Sequence, residues 1–161
     1  MKIRLAQEMD LPQIQNIYAL ARQFMVENRN PDQWGTTYPQ ESILRNDLDQ
    51  NHLYVCEDED VIVGVFCYFV GIEPDYLEIF DGNWCNDLPY GVVHRLAACG
   101  KRRGIASHCL EYAFSQCGNL RIDTHRDNIP MQRLLAKSGY HRCGIIHCSH
   151  GGDRIAYQKT V

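Results

Sequence analysis

The sequence predicts a single α/β domain built on a mixed sheet with helices on both faces. Three observations carry that prediction. Strand-like alternation and helix-like periodicity take turns along the chain in the order β-α-α-β-β-β-α-β-α-β-β. The 161 residues are the length of one ordinary domain, and no stretch reads as a linker, a repeat or low complexity. A basic, glycine-containing loop joins a strand to a helix in the middle of the chain, where an α/β protein binds an anion.

Each element has its own signal. Lys2 to Ala6 alternates as a short strand. Asp10 and Pro12 mark the start of a helix whose Leu11, Ile14, Tyr18, Ala21 and Met25 form one apolar stripe. Asn28 to Gly35 is a polar break, and a second helix starting near Pro39 buries Ile43, Leu44 and Leu48. Leu53–Cys56 and Val61–Val70 are strands of an antiparallel hairpin, joined by the acidic turn Glu57-Asp58-Glu59-Asp60. Pro74 to Pro89 is less regular, with a possible strand at Tyr76–Phe80. Tyr90–Ala98 is the next strand, followed by the basic loop and a helix from about Arg103 to Cys117. Asn119–Thr124 is a strand and Ile129–Ser138 a short helix that Gly139 stops. Tyr140–His147 and Arg154–Lys159 close the chain as strands around Gly151-Gly152.

Composition narrows the function. Sixteen Lys and Arg against twenty Asp and Glu give a net charge of −4, against the basic surplus of a nucleic-acid binder. The longest apolar run, Val61–Val70, is far short of the ~20 residues that cross a bilayer. Met1-Lys2-Ile3-Arg4 leads straight into structure, so no cleaved signal is expected and a cytoplasmic location is. The eight cysteines include no Cys-x-x-Cys pair, and several sit in apolar runs as Cys67 does, which favours reduced, buried thiols. His141, Cys143, His147, Cys148 and His150 are the densest ligand-like group, but their spacing is not that of a zinc knuckle, and no metal is expected.

The loop Gly100-Lys101-Arg102-Arg103-Gly104-Ile105-Ala106 carries the first chemistry. Unpaired N–H groups at a helix N-terminus hold phosphate oxygens, and Gly104 and Ala106 let a phosphate approach the backbone. A Walker loop is excluded by Arg95 where its first glycine belongs, and a dinucleotide fingerprint by Ser107. Apart from those motifs, a solvated basic turn is the other reading.

The loop resembles the pyrophosphate-binding motif Arg/Gln-x-x-Gly-x-Gly/Ala of the GCN5-related N-acetyltransferase (GNAT) superfamily, with Lys101, Gly104 and Ala106 on its positions. The stretch from Asp123 to Tyr140 is similar to the family's strand, asparagine, helix and Gly-aromatic ending. His94-Arg95-Leu96-Ala97 and Asp123-Thr124-His125 look most similar to an uncharacterised bacterial subgroup. The resemblance covers the whole chain, residues 1–161, as one N-acetyltransferase domain. It implies a mostly antiparallel sheet of six or seven strands, splayed into a V between the Tyr90–Ala98 and Asn119–Thr124 strands. Acetyl-CoA, as cosubstrate, would enter the V. Its pyrophosphate would lie on Lys101, Arg102, Arg103, Gly104, Ile105 and Ala106, and its pantetheine along Leu96, Ala97 and Ala98. Asn128 matches the asparagine that contacts the pantetheine arm.

Amine acetylation needs a neutral nucleophile. A lysine-like amine costs about 4–5 kcal/mol to deprotonate at pH 7, and unprotonated departure of a thiolate costs about 2, so a base helps more than an acid. The tyrosine that often serves as family acid is replaced by Leu135. The resemblance makes Asp123 a base, and strand alternation sets His125 on its face and places Val92, His94 and Leu96 together on the neighbouring strand. Asp123 is favoured over His94, whose imidazole suits base work near neutral pH, while His125 is an orienting or substrate group. Asp123 as an arginine's partner and His94 as a satisfied core residue are the structural alternatives. Trp34 and Tyr38 are expected to wall the acceptor pocket, or else to staple helices together, with Tyr90 and Trp84 as secondary candidates. The expected activity is acetyl transfer by direct attack of a primary amine on a small molecule or peptide N-terminus. The alternative is an acyl-CoA sensor with reduced chemistry, which Leu135 favours. The expected partners are acetyl-CoA and an amine, with no nucleic acid or membrane, and a homodimer is left open.

Overall fold

The computed structural model describes residues 1–149 and 151–161. The chain runs β1 (Lys2–Leu5), α1 (Leu11–Glu27), α2 (Glu41–Asp49), β2 (Leu53–Asp58), β3 (Val61–Val70), β4 (Gly91–Ala98), α3 (Ile105–Cys117), β5 (Asn119–Thr124), α4 (Ile129–Lys137), β6 (His141–His147) and β7 (Asp153–Thr160). The strands form one sheet in the order β1-β2-β3-β4-β5-β7-β6, antiparallel everywhere except between β4 and β5. The predicted element order and mostly antiparallel sheet are those observed. No described helix is long and apolar enough to cross a membrane.

Differences from the sequence reading are local. Tyr76–Phe80 is not a strand: Pro74–Tyr76 makes a 3-10 turn, and Phe80 contributes an isolated bridge to Ile145. Asp10 precedes α1 as expected, but its carboxylate accepts from Gln7 N–H and from Arg4 rather than capping the helix. All eight cysteines are free; Cys56, Cys67, Cys109 and Cys143 are buried, and Cys85 is exposed.

The core lies in two main layers. Leu11, Ile14, Ile17 and Tyr18 of α1 and Leu44 of α2 pack on Val55, Val65 and Ala97. Across the sheet, Ile105, Cys109, Leu110 and Ala113 of α3, with Leu135 of α4, pack on Phe66, Val93, Leu96 and Ile122. Gly64 sets the seat of α3: a Cβ there would lie 2.6 Å from Ile105 Cγ2, so only glycine lets the helix start sit this close to β3.

Two irregularities shape the functional face. The parallel β4–β5 ladder holds only Gly91 opposite Leu120 and Val92 opposite Arg121, after which the strands part and open a V. β4 also carries a bulge: Val65 pairs with Ala97 and Cys67 with His94, so two steps along β3 span three along β4. Arg95 takes a left-handed conformation there (φ +52°), which costs a non-glycine residue about 1–2 kcal/mol. Tertiary contacts offset that strain. Tyr18 Oη donates to Arg95 O (2.7 Å), and the Arg95 guanidinium makes a forked pair with Asp47, Nε to Oδ2 (3.1 Å) and Nη2 to Oδ1 (2.9 Å). The bulge overturns one expectation: Leu96 shares the α3 face with Val93, whereas Val92 packs on the opposite face with Tyr76 and Ile146.

Candidate active site

The V encloses a cleft of about 500 Å³. β4 and β5 make its floor through His94, Arg95, Ile122 and Asp123, while Trp34 and Tyr38 wall one side. A second, mainly apolar groove of about 240 Å³ runs between α1 and α4 across the end of β4, from Asn30 to Gly100 and Ala106. Met25, Leu96, Asn128 and Met131 line both, so the groove opens into the cleft beside the β4 bulge.

Three polar side chains, Glu73, His94 and Asp123, are clustered on the cleft floor, with the buried Tyr76 behind them. His94 Nε2 lies 2.8 Å from Glu73 Oε2, and His94 Nδ1 lies 4.0 Å from Asp123 Oδ2. Asp123 Oδ2 also accepts a 2.6 Å hydrogen bond from Tyr76 Oη. Burial, reinforced by the Asp123 charge, pushes the Tyr76 phenol well above its ordinary range, so it stays protonated and donates. Glu73 is half-enclosed: burial alone raises its carboxyl pKa, but the hydrogen bond and charge of His94 outweigh burial and leave it lowered. Glu73 is fixed at its backbone by N–H donation to Tyr90 Oη (3.1 Å) and at its side chain by Asp75 N–H (3.2 Å). An ionised Glu73 accepts a hydrogen bond from Nε2–H of a neutral imidazole, which leaves Nδ1 as the acceptor facing Asp123.

The walls are tied to the floor. Tyr38 Oη accepts from Arg95 (3.1 Å), and the Trp34 ring lies edge-on to Tyr18 (5.6 Å between centroids). Gln33 Oε1 accepts from both Asn30 Nδ2 and Asn128 Nδ2 (2.8 Å each), and Asn128 Oδ1 caps α4 by accepting from Met131 N–H.

The basic loop lies at the far end of the groove. Gly104 stands just before α3 at φ +83°, where a Cβ would touch nothing within 4 Å. The first α3 N–H groups lack helical partners and open toward solvent through this gap. Lys101, Arg102 and Arg103 are exposed, and Arg102 is turned onto Asp58 of β2. Ile105 is buried under Gly64, so only its backbone is available to a ligand.

The comparisons agree with this architecture. Residues 13–140 match the model of the acetyltransferase (GNAT) family. The chain belongs to that family. Among solved structures it is similar to a GNAT acetyltransferase from Streptococcus agalactiae, at 28% identity over 99% of this chain and 95% of that one, with a TM-score of 0.86. It is also similar to a putative acetyltransferase from Staphylococcus aureus at 26% identity, covering 99% of each chain, with a TM-score of 0.72. The Arabidopsis thaliana Naa50 in complex with a bisubstrate analogue shares the fold at 11% identity, covering 99% of this chain and 98% of that one, with a TM-score of 0.63. No curated protein matches the chain.

Against this GNAT frame, His94 and Asp123 share the cleft floor, Trp34 and Tyr38 line the cleft, and Leu96, Ala97, Ala98, Ala106 and Asn128 line the groove. Two expected residues lie elsewhere. Tyr90 packs its ring on the Arg121 guanidinium (4.0 Å), and it supports Glu73 rather than lining the cleft. His125 is buried outside the cleft lining, its Nδ1 accepting from Asp127 N–H (3.1 Å); burial first, then the charge of Arg154, lowers its pKa. Of the ligand-like cysteine and histidine group, Cys143 packs 3.8 Å from Cys85 and His147 pairs with Asp153, while His150 lies outside the described residues. Sequence reasoning missed Glu73 and the function of Tyr76. Both sit in the irregular segment between β3 and β4, where no periodicity tells which side chains turn inward.

Proposed function

We propose that the protein transfers the acetyl group of acetyl-CoA to a primary amine by direct attack, with His94 as the proton acceptor. The observation that carries this reading is the junction of an apolar groove with a polar cleft at Leu96, Asn128 and Met131, beside His94 and Asp123. The groove suits an acyl-CoA arm. It is apolar, it ends at the glycine-flanked start of α3, and it is lined by Asn30, whose buried Oδ1 has no partner among the described residues and would accept from a ligand amide. Acetyl-CoA supplies the thioester, whose C–S bond breaks as the N–C bond forms.

The protein's own groups manage the amine. Asp123 attracts the ammonium form, and His94 Nδ1, its tautomer set by Glu73, takes the proton. The resulting imidazolium lies between Glu73 and Asp123, so both carboxylates stabilise it. This reading replaces Asp123 with His94 as base because Glu73, invisible to sequence reasoning, orients the imidazole. The eight free cysteines fit a reducing compartment, which supports a cytoplasmic location, and strands from Lys2 to Thr160 in one sheet support a single domain over residues 1–161.

One observation favours a second reading, an acyl-CoA sensor. Leu135, at the position of the family's frequent tyrosine acid, is wholly buried in the core and donates nothing. A single-turnover assay with acetyl-CoA and a panel of amines, read as free thiol, separates the two. Transfer above the hydrolysis rate supports the enzyme, and its absence across the panel supports the sensor.

A further inference from the structure

Among the described residues each carboxylate of the cleft has a hydrogen-bond partner of its own, whereas one of its two guanidinium groups has no partner of opposite charge. Asp47 is paired with Arg95, Glu73 is bonded to His94, Asp75 accepts from the Ser149 N–H and hydroxyl (3.0 Å each), and Asp123 accepts from Tyr76 Oη. Arg154 lines the same cleft and is only 6% exposed, yet it has no carboxylate within ion-pair distance among the described residues. Its guanidinium donates to three backbone carbonyls: Asp153 O (3.1 Å), Gln33 O (3.3 Å) and Gly151 O (3.4 Å). Two of these are long, and carbonyl dipoles do not cancel a full charge. Among the described residues, five N–H donors less these three bonds leaves two, the number a carboxylate takes from an arginine fork. A buried, unpaired guanidinium is costly, which makes an anionic ligand its natural complement.

Its position relative to Asp123 specifies that ligand. In the β5–β7 ladder Asp123 stands opposite Ala156. Arg154 is two residues from Ala156 along β7 and so shares its face, making Asp123 and Arg154 diagonal neighbours, about 7–8 Å apart at the backbone. The cleft thus presents an anionic end at Asp123 with the His94 acceptor beside it, and a cationic end at Arg154. We propose that the acceptor is a free amino acid, its carboxylate held by Arg154 and its amine directed at Asp123 and His94. This rests on the amine-acetylating reading above and chooses within it. A peptide N-terminus, whose carboxyl is an amide, leaves Arg154 unpaired, whereas a free amino acid pairs it.

The test uses the full chain with acetyl-CoA and two matched panels, the twenty protein amino acids and their carboxamides, with thiol release as readout. The expected result is a kcat/KM for the best amino acid at least about 10-fold above its amide, carried mainly by KM. Arg154→Gln is expected to raise KM for the amino acid about 10- to 100-fold and bring the amino acid-to-amide ratio near one, with Arg154→Lys restoring part of the preference. The acetyl-CoA thermal shift of each variant, kept close to wild type, certifies that the fold is intact. Amides accepted as well as amino acids, or a ratio that Arg154→Gln leaves unchanged, overturns the amino-acid assignment while acetyl transfer stands. No thiol release from either panel overturns the amino-acid assignment, and the wider amine panel then decides separately whether acetyl transfer stands.

Discussion

His94 Nε2 stands 2.8 Å from Glu73 Oε2, joining the middle of β4 to the segment that leaves β3. Because the contact occupies Nε2, it decides which ring nitrogen can accept a proton, and so ties a backbone turn to the chemistry of the cleft.

Replacing Glu73 with Gln keeps the shape but removes the charge that fixes the tautomer and stabilises an imidazolium. Turnover is expected to fall about 100-fold, with acetyl-CoA binding retained, as read by steady-state rates beside thermal shift. Glu73 also leaves a pH signature. Its carboxyl pKa is lowered in the folded protein, so its stabilising contribution is present above the ordinary carboxylate range and is lost as pH falls through the folded value. Melting temperatures below pH 4.5 should therefore fall more steeply in wild type than in Glu73→Gln.

Tyr76→Phe removes the 2.6 Å donor to Asp123 Oδ2 without changing the packing of the ring. A hydrogen bond to a charged group contributes about 1.5–3 kcal/mol. At roughly 2–4 °C per kcal/mol for a chain of this size, the melting temperature is expected to drop by roughly 3–12 °C. An unchanged melting temperature means that solvent satisfies Asp123 equally well.

Much of this molecule is legible in its sequence, and the parts that are not share one cause. The strands and helices follow local periodicity, so Ile14 and Tyr18 of α1 and Leu44 of α2 are buried as their spacing predicts. The bulge at Arg95 has no local signal, since neither glycine nor proline marks it. It depends on Tyr18 and Asp47, which are 77 and 48 residues away. That single extra residue reverses the face of Leu96 and leaves His94 facing Glu73 and Asp123. Arg154 likewise reads as an ordinary strand residue until the β5–β7 register sets it beside Asp123. His94 and Asp123 were identifiable because their motifs are short and contiguous. The groups that tune them come from segments whose only relation is tertiary.

The basic loop gives a sharp comparison. Gly104→Val forces a branched residue to φ +83° beside the first α3 N–H groups, although its Cβ would meet no protein atom within 4 Å. Arg102→Ala removes one exposed charge that already pairs with Asp58. Gly104→Val is therefore expected to weaken acetyl-CoA binding about 10-fold or more and Arg102→Ala less than about 3-fold, measured by calorimetry. Equal losses would mean that the loop attracts the ligand by charge alone.

The identity of the base is decided by a pair of variants. His94→Gln keeps a donor toward Glu73 but has no nitrogen able to take a proton. Turnover is expected to fall about 10²- to 10⁴-fold, and the acid limb of the wild-type pH–rate profile, where the imidazole protonates, should disappear. Asp123→Asn keeps a partner for Tyr76 Oη but loses the charge that attracts the ammonium. Its main effect is expected on KM, a rise of about 10- to 100-fold, with the acid limb preserved. The two outcomes differ because His94 acts only as the proton moves, whereas Asp123 acts already when the charged amine binds. A collapse of kcat in Asp123→Asn, together with an active His94→Gln that keeps its acid limb, would assign the proton to Asp123 and reduce His94 to a positioning residue.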